Sequence, residues 1–468
     1  MSLGRRAPAL LLAAIIATSS PAIAGQSLPA PQAPSSSPFF GSVPKGAATA
    51  EPLPLSVKDA VQRALQNNLG LLLQEESEES ARGARWRALA DLLPEVSGAL
   101  GPRRQVINLE AFGFPGPPSI VGPFNVYDAR VLLSQPIVDI SALNDARAAA
   151  LRQKAEKYGV KTARDLVVLV AVNLYLESVA TASRVDTTRA QQDTAEALFK
   201  QAQDLKAAGL VAGIDVLRAQ VQLQTQRQRL IAAENDFEKS KLQLERAVGI
   251  PIGQPITLTD KIPYAAIPEL PIDEALKRAF ESRSDYLAAK SRVEAAEAAR
   301  KAANGALLPT LTFDADYGAI GQTIASAHST YTMAANVRVP LFDGGKTTAR
   351  RIETRSALRQ REAELADFRS RVEYEVRSSL LDLRSAEQQL QAAQTNVQLA
   401  NDELQQARDR FGAGVAGNLE VTQAQEAVAT ASETYISALY SHNLAKASLA
   451  RSLGVAESAV MNYLGGLQ

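Results

Sequence analysis

An internal duplication limits the folds open to this chain more than any other feature of its sequence. Residues 55–65 match residues 270–280, and Leu92–Pro94 matches Leu307–Pro309, both at a separation of 215 positions. Two further stretches correspond in the same order, at separations of 204 and 205 positions. Repeats of this size exclude a solenoid of short units, whose period is about 20–50 residues. The sequence therefore predicts one architecture that is built twice along the chain.

The duplication divides the chain into six predicted parts. They are a signal peptide (1–24), a disordered leader rich in Pro, Ser and Ala (25–54), repeat 1 (55–250), an inter-repeat linker (251–270), repeat 2 (271–454) and a C-terminal tail (455–468). The signal peptide is indicated by Arg5 and Arg6, a following apolar stretch, and the small residues Ala22 and Ala24 before the cleavage point. Because the leader has too few apolar residues to form a core, we expect folded sequence to begin near Leu55.

Each repeat is predicted to contain three helices. In chain order they are Leu55–Leu92, Asp139–Ala208 and a returning helix up to Gly249 in repeat 1, and Ile272–Leu307, Asp343–Ala413 and a returning helix up to Gly454 in repeat 2. Pro94 and Pro309 close the first helices, because proline cannot continue a helix. Asp139 and Asp343 are predicted N-caps of the long helices. No proline interrupts a long helix, so about 70 residues extend roughly 105 Å before the chain turns back.

Two strands are predicted between the first helix and the long helix of each repeat. In repeat 2, apolar and polar residues alternate over residues 310–319 and again over 331–341. Repeat 1 has a less regular pair over residues 96–109 and 124–137. A period of two residues is typical of a half-buried strand. The lengths are close to the roughly 9–11 residues of a tilted membrane strand.

The long helix and the returning helix of each repeat carry matching heptad seams. In repeat 2 the outgoing seam is Leu383, Ala386, Leu390, Ala393, Val397, Ala400, Leu404, Ala407 and Phe411, and the returning seam is Val421, Ala424, Val428, Ala431, Tyr435, Ala438, His442, Ala445 and Leu449. Spacings of three and four residues are typical of coiled coils. Alanine at alternate positions lets the paired helices approach closely. The fold class is therefore mainly α, with two long antiparallel coiled-coil hairpins and four strands.

Composition and motifs exclude several classes of protein. The chain has 50 basic and 50 acidic residues and no cysteine, which excludes disulfides, thiolate metal sites and a basic nucleic-acid surface. The longest later apolar run, Leu166–Val172, is shorter than the roughly 18 residues of a membrane helix. His328 and His442 lack spaced partner ligands, and Gly344–Thr348 lacks the first glycine of a P-loop. We therefore predict no enzyme activity, no cofactor and no metal site.

The four strands need partners from other chains. A four-stranded sheet cannot close, and its open edges cannot lie in lipid. Three chains that pool their strands form a closed barrel of twelve, and rotational symmetry is the usual route to such closure. The sequence thus favours a trimeric duct through a membrane. A structural periplasmic coiled-coil tether remains the alternative, although a tether does not need the strands, and an exported enzyme has no catalytic constellation.

Several motifs together resemble the TolC-type outer-membrane efflux factor family. They are Arg283–Leu287 followed by Val293–Ala299, Leu307–Pro309, Val339–Gly345, and the turns Ala208–Ala212 and Arg410–Val415. The resemblance covers about residues 55–454 and includes the duplication. It implies a homotrimer in the outer membrane of a Gram-negative bacterium, with a twelve-stranded barrel on a periplasmic helical barrel. It also implies a passive exit duct of a tripartite efflux or type I secretion system, whose partners are a periplasmic adaptor and an inner-membrane transporter.

The resemblance also assigns roles to residues at the hairpin turns. The residues that it implies for adaptor docking are Gly209, Leu210, Val211, Gly414 and Val415. The residues that it implies for the pore gate are Glu420, Gln423 and Asp215. Gln423 is uncharged where the family has a second acidic residue. Phe411 and Ala416 stand where the family has a tyrosine and an arginine that lock the closed pore, so the sequence does not predict that lock.

Overall fold

The computed structural model describes residues 37–114, 116–260, 270–413, 415 and 417–464. The predicted signal peptide (1–24), the first part of the predicted leader (25–36) and the predicted docking residue Gly414 lie outside these residues. Repeat 1 comprises β1 (Leu53–Leu55), α1 (Val57–Asn67), α2 (Leu69–Ala90), β2 (Glu95–Asn108), β3 (Ile120–Val138), α3 (Ile140–Ala207) and α4 (Gly213–Val248). Then follow β4 (Ile256–Leu258), α5 (Ile272–Ser282), α6 (Ser284–Gly305), β5 (Thr310–Gly321), β6 (His328–Arg338), α7 (Lys346–Gly412), α8 (Asn418–Ser452) and α9 (Ala456–Tyr463).

The first helix of each repeat is broken, which the sequence did not predict. Asn68 has an extended backbone between α1 and α2, and its side-chain oxygen accepts hydrogen bonds from the amides of Gly70 and Leu71. Arg283 is likewise extended between α5 and α6. Its guanidinium is buried and forms salt bridges with Asp285 at 2.7 Å and Glu375 at 2.6 Å. A side-chain cap at Asn68 therefore breaks the first helix of repeat 1, and a buried ion network at Arg283 breaks that of repeat 2. Helix propensity alone would continue both helices.

The leader is ordered from residue 37 onwards, so the prediction of disorder is wrong for residues 37–54. Phe39 and Phe40 pack against the protein core, and Phe39 occupies the space beside Gly70 where any Cβ would clash. The Thr49 amide donates a 2.7 Å hydrogen bond to the side chain of Gln254. Strand β1 then pairs in parallel with β4 of the linker. Two aromatic rings and these long-range contacts compensate for the entropy of ordering the segment.

The long helices confirm the predicted coiled-coil hairpins. The buried residues of α7 include Ala386, Leu390, Ala393, Ala400, Leu404, Ala407 and Phe411, which belong to the predicted seam. Asp139 caps α3 as predicted, and its carboxylate accepts from the Ala142 amide at 2.8 Å. The N-cap of α7 is Gly345 instead of Asp343. Asp343 still accepts from the Thr347 amide at 2.7 Å, so it stabilises the helix start from outside the cap position.

Helix α3 contains the most apolar part of the described chain. An 18-residue window within it has a mean hydropathy of 1.7, but 61% of that window is buried by the rest of the protein. Residues of α3 form the centre of an apolar cluster, which we call the middle cluster. Its members include Leu55, Val57, Val168, Tyr175, Leu244 and Val248. A second cluster, the tip cluster, consists of Leu198, Leu404, Ala407, Phe411, Val421 and Ala424. The tip cluster packs hairpin 1 (α3–α4) against hairpin 2 (α7–α8), and Ala447 of α8 belongs to the middle cluster at a different height.

The four long strands form one antiparallel sheet in the order β2-β3-β5-β6. Val96, Leu133, Ala315 and Met333 lie side by side across it and represent its apolar face. On the other face, Asp316 lies between Leu132 and Thr332 in the register. Strands β2 and β6 are the two edges, and neither pairs on its outer side with any other strand of the described residues. The sheet therefore has one apolar face, one mixed polar face and two open edges.

Candidate functional site

The turn of hairpin 1 exposes an apolar side chain at its tip. Helix α3 ends in a left-handed residue, Gly209 (φ 71°), and the Leu210 amide donates to the carbonyl of Leu205 at 2.9 Å. This glycine-terminated turn is a common helix ending, because glycine adopts positive φ without strain. Leu210 then stands 72% exposed, whereas Val211 packs against the tip cluster. Of the three predicted docking residues in this turn, Leu210 is thus the one that presents apolar surface.

The turn of hairpin 2 has the same backbone hydrogen bond as that of hairpin 1. The Val415 amide donates to the carbonyl of Arg410 at 3.0 Å, and the Val415 side chain is 69% exposed. Phe411 is buried in the tip cluster, so this residue is part of the contact between the hairpins. Because the tip cluster joins both hairpins, Leu210 and Val415 lie at the same end of the protein. Leu210 and Val415 are therefore the described docking candidates that expose apolar side chains at this end.

The three predicted gate residues lie near the starts of the returning helices. Asp215 is in the first turn of α4 and lies 3.4 Å from the guanidinium of Arg218. Glu420 is in the first turn of α8, and Gln423 is exposed one turn later. Carboxylates are favourable at helix N-termini, where the helix dipole is positive. A stabilising role at the helix start accounts for both acids without any gate.

Sequence reasoning missed the partner of Glu420. The Nε of Arg410, in the last turn of α7, lies 3.0 Å from a carboxylate oxygen of Glu420 across the hairpin turn. The signal was present in the predicted turn, because a hairpin brings the last turn of one helix beside the first turn of the next. Both side chains are about half exposed, so the pair contributes roughly 0–1 kcal/mol to stability. Its main effect is to cancel the charge of Glu420.

The polar face of the sheet carries a second network that the sequence did not reveal. Arg130 of β3 forms salt bridges with Asp128 at 2.9 Å and with Asp316 on the neighbouring strand β5. Asp314 accepts hydrogen bonds from Ser134 at 2.7 Å and from Asn336 at 2.8 Å. The alternation of apolar and polar residues along β5 predicts that both aspartates lie on one face of the sheet. Their hydrogen-bond partners could not be predicted, because these depend on how the strands are aligned. These bonds tie three strands together on the face opposite the apolar one.

The histidines do not form a metal site in the part of the chain that the structure describes. No three His, Asp or Glu side chains converge there so as to hold a metal ion. His442 lies buried in hairpin 2, and burial together with the charge of Lys446 lowers its pKa to about 4. His328 is the first residue of β6 and is exposed.

Helices α4 and α7 retain exposed apolar residues. Ile214, Leu217, Val221 and Ile231 of α4 are all exposed and recur at heptad spacings. Tyr374, Leu381 and Leu399 are exposed on α7. A heptad stripe without a partner is typical of a helix that packs against another chain.

A model of the outer membrane efflux protein family matches residues 60–250 and 275–455, which are the two repeats. The pyoverdine export outer membrane protein OpmQ of Pseudomonas aeruginosa is 27% identical over 313 residues, 64% of this chain and 64% of that protein. The outer membrane efflux protein BepC of Brucella suis is 25% identical over 332 residues, 66% of this chain and 70% of that protein. The match thus spans slightly less than two thirds of the length of OpmQ.

Solved structures with the same fold include outer-membrane channels. The CmeC channel of Campylobacter jejuni superposes with a TM-score of 0.75 at 16% identity, covering 94% of this chain and 98% of that one. The open-state MtrE channel of Neisseria gonorrhoeae superposes with a TM-score of 0.71 at 16% identity, covering 91% and 98%. At these identities the likeness establishes the fold.

Proposed function

The chain belongs to the outer membrane efflux protein family, and we propose that it is the outer-membrane exit duct of a tripartite efflux or type I secretion system. The carrying observation is the combination of a four-stranded sheet with one apolar face and two long hairpins. An apolar face suits lipid, and a polar face suits a water-filled interior. The duct conducts substrate passively, and its energy comes from an inner-membrane transporter.

The duct is a homotrimer. Open edges at β2 and β6 and the exposed heptad stripe on α4 both support this, because each is satisfied when neighbouring chains pack side by side. Three four-stranded sheets make a barrel of twelve strands. A periplasmic coiled-coil tether would need the hairpins but would have no use for a sheet with an apolar face.

The tip surface of Leu210 and Val415 docks a periplasmic adaptor. Both side chains are mostly exposed, lie at the same end of the protein and occur at equivalent turns of the two repeats. Six such apolar projections in a trimer provide a repeating surface for a partner. OpmQ is named for pyoverdine export and TtgF of Pseudomonas putida for toluene efflux, which supports small organic molecules as the cargo here.

Sedimentation and channel recording of the purified full-length chain test this proposal. We expect a trimer in detergent, recovered from outer-membrane fractions, that conducts ions when it is inserted into a planar bilayer. A tether would reach the same fraction without conducting. A monomer that does not insert would contradict both the trimer and the duct.

A further inference from the structure

The two repeats meet within the sheet along a staggered pair of strands, β3 of repeat 1 and β5 of repeat 2. Their pairing stops at Tyr127, which lies opposite Gly321. Strand β3 continues beyond that point and pairs only with β2, through Ile120–Val126 on β3 and Arg103–Asn108 on β2. The β2–β3 pair therefore projects past the β5–β6 pair, on the side of the sheet away from the helices.

The projecting part of β2, Arg103–Asn108, is paired on one side only. Its other side faces no strand of the described residues, and Val106 within it is 58% exposed. A ribbon of two strands is at best marginally stable in water, and an open edge presents a row of unpaired amides and carbonyls. This edge therefore needs a strand from another chain.

The duplication provides a template for that pairing. Strand β6 is the repeat-2 equivalent of β3, at a separation of 204 positions, and β2 is the repeat-1 equivalent of β5, at 215 positions. The registers within the two repeats agree with these separations, because Glu95 lies opposite Ser134 and their equivalents Thr310 and Arg338 lie opposite each other. The boundary between two copies thus joins β6 to β2 as the boundary between the two repeats joins β3 to β5.

We propose that β6 of one copy pairs with β2 of the next copy in the same register as β3 with β5. Ser134 lies opposite Asp314 within the chain, so the equivalent residues Arg338 and Ala99 lie opposite each other between copies. Thr332 then lies opposite Gln105. The inference rests on the proposed trimer and adds to it the alignment of the strands at each boundary between chains.

This alignment covers the projecting edge. All 11 residues of β6 lie along the outer part of β2, because the row that starts at Arg338 and Ala99 runs outward past Gln105. Within the chain, Gly101 and His328 belong to one row across the sheet. If two copies met with their sheets level, His328 would lie opposite Gly101, and Arg103–Asn108 would stay unpaired.

The side chains also favour the staggered alignment. On the apolar face it places Leu100, which is 87% exposed, opposite Val337, which is 67% exposed. Level sheets would place Leu100 opposite the polar residue Ser329. Apolar pairs directly opposite each other stabilise neighbouring strands. Two of the exposed apolar residues at the edges of the sheet thus cover each other when copies pair in the proposed register.

Disulfide cross-linking tests the register, and the chain has no cysteine of its own to interfere. The full-length variants Leu100→Cys/Val337→Cys and Ala99→Cys/Arg338→Cys are purified in detergent and oxidised with copper phenanthroline. We expect covalently linked trimers from at least one of them. Opposed residues alternate between hydrogen-bonded and non-hydrogen-bonded pairs, and their Cα atoms lie about 4.5–5.5 Å apart, within disulfide range.

Two further pairs serve as controls. Leu100→Cys/Ala335→Cys joins diagonal neighbours about 7–8 Å apart, so it should cross-link at least tenfold less. Leu100→Cys/Ser329→Cys reports level sheets and should not cross-link. Strands β2 and β6 are opposite edges of the sheet within one chain, so each bridge has to join two chains.

A charge pair gives a second readout without cysteine. Ala334 lies opposite Arg103 in the proposed register, so Ala334→Lys should lower the temperature at which the trimer dissociates in dodecyl sulfate, because like charges face each other. Arg103→Glu/Ala334→Lys should restore it. Preferential cross-linking of Leu100→Cys/Ser329→Cys or Leu100→Cys/Ala335→Cys, or a loss that Arg103→Glu does not reverse, would overturn the register and leave the trimer and the duct standing. An unaltered chain that forms no trimer would overturn the proposed function, and the register with it.

Discussion

The two hairpins have the same architecture but differ in what their seams bury. Phe237 and Lys241 in hairpin 1 correspond to His442 and Lys446 in hairpin 2, both 205 positions later. The Lys241 ammonium lies 4.8 Å from the centre of the Phe237 ring and 2.6 Å from a carboxylate oxygen of Glu238. Lys446 is completely buried, and its ammonium has no hydrogen-bond partner within the described ranges.

This difference predicts that hairpin 2 is the less stable helix pair at that height. Burial lowers the pKa of Lys446 to about 8, and the carboxylate of Glu387 on α7 only partly offsets this. A buried cation with so little compensation destabilises the packed state. A duplicated fold can thus keep its heptad spacing in both copies while one copy acquires a weaker seam. Where the helices of a protomer separate, we expect α7 and α8 to do so first.

The largest expected effect concerns the two tips. Leu210→Asp and Val415→Asp should each reduce export by tenfold or more, because a charge placed in an apolar docking contact must be desolvated. Export of a substrate from cells measures this, and Ile252→Asp, at an exposed apolar residue outside the tips, is the control. If only one of the two variants loses export, the hairpins differ in docking; if neither does, the docking role is wrong.

The second largest expected effect tests the difference between the buried lysine of hairpin 2 and its counterpart in hairpin 1. Lys446→Met should stabilise the contact between α7 and α8 by about 1–4 kcal/mol near neutral pH, because an apolar side chain of similar length removes the cost of burying the ammonium. The matched variant Lys241→Met should destabilise hairpin 1 by about 0.5–1 kcal/mol, because it loses a cation–π contact and an exposed ion pair. Amide hydrogen exchange in the two seams measures both. A destabilising Lys446→Met would refute the comparison.

The pH dependence of hairpin 2 gives a smaller effect. His442 has a folded pKa of about 4, below the ordinary value of 6.5, owing to burial and to Lys446, while Glu387 opposes the shift. The unfolded state therefore binds more protons between these values, so the free energy of unfolding falls as pH decreases from 6.5 to 4. The acid-induced loss of exchange protection in α8 should be smaller in His442→Phe. Phe237→His should introduce a similar loss in hairpin 1; equal pH profiles in all three proteins would contradict this assignment.

Much of the fold was predictable because the residue spacing within each helix and strand indicates its type, and because the duplication repeats the same pattern in both halves of the chain. The seam from Ala386 to Phe411 lies on one face of α7 by spacing alone, and the strand pattern of residues 310–319 places β5 correctly. The break at Arg283 was not predictable, because its salt-bridge partner Glu375 lies 92 positions away. Order in the leader likewise depends on contacts with residues such as Gln254. Periodicity identifies an element, whereas its ends depend on long-range partners.

The candidate site was less predictable than the fold. The positions of Leu210 and Val415 followed from the turns, but the neighbours of the acidic residues did not. Single-sequence patterns place residues on an element, and they do not reveal which polar atoms remain unpaired after the elements pack.

The smallest expected effect concerns the acids near the tips, where the two hairpins again differ. Asp215 lies near Arg218 of its own helix, whereas Glu420 is paired with Arg410 across the turn. We propose that three-fold symmetry assembles these groups into rings near the pore. Because Arg410 cancels much of the charge of Glu420, the wild-type ring should favour cations only weakly and bind multivalent cations weakly. Glu420→Ala should reduce cation preference and Arg410→Ala should increase it, each by about twofold, since half-exposed charges are strongly screened.

Reversal potentials in a salt gradient at low ionic strength measure these shifts, and block by a trivalent cation provides a second readout. The double variant Arg410→Ala/Glu420→Ala should return close to wild type, because it removes one charge of each sign. Gln423→Ala is the control, as it leaves the charge unchanged. If the two single variants shift selectivity in the same direction, or not at all, then Glu420 faces away from the pore and serves only the start of α8. The duct itself would survive that result, because its support lies in the sheet and the hairpins.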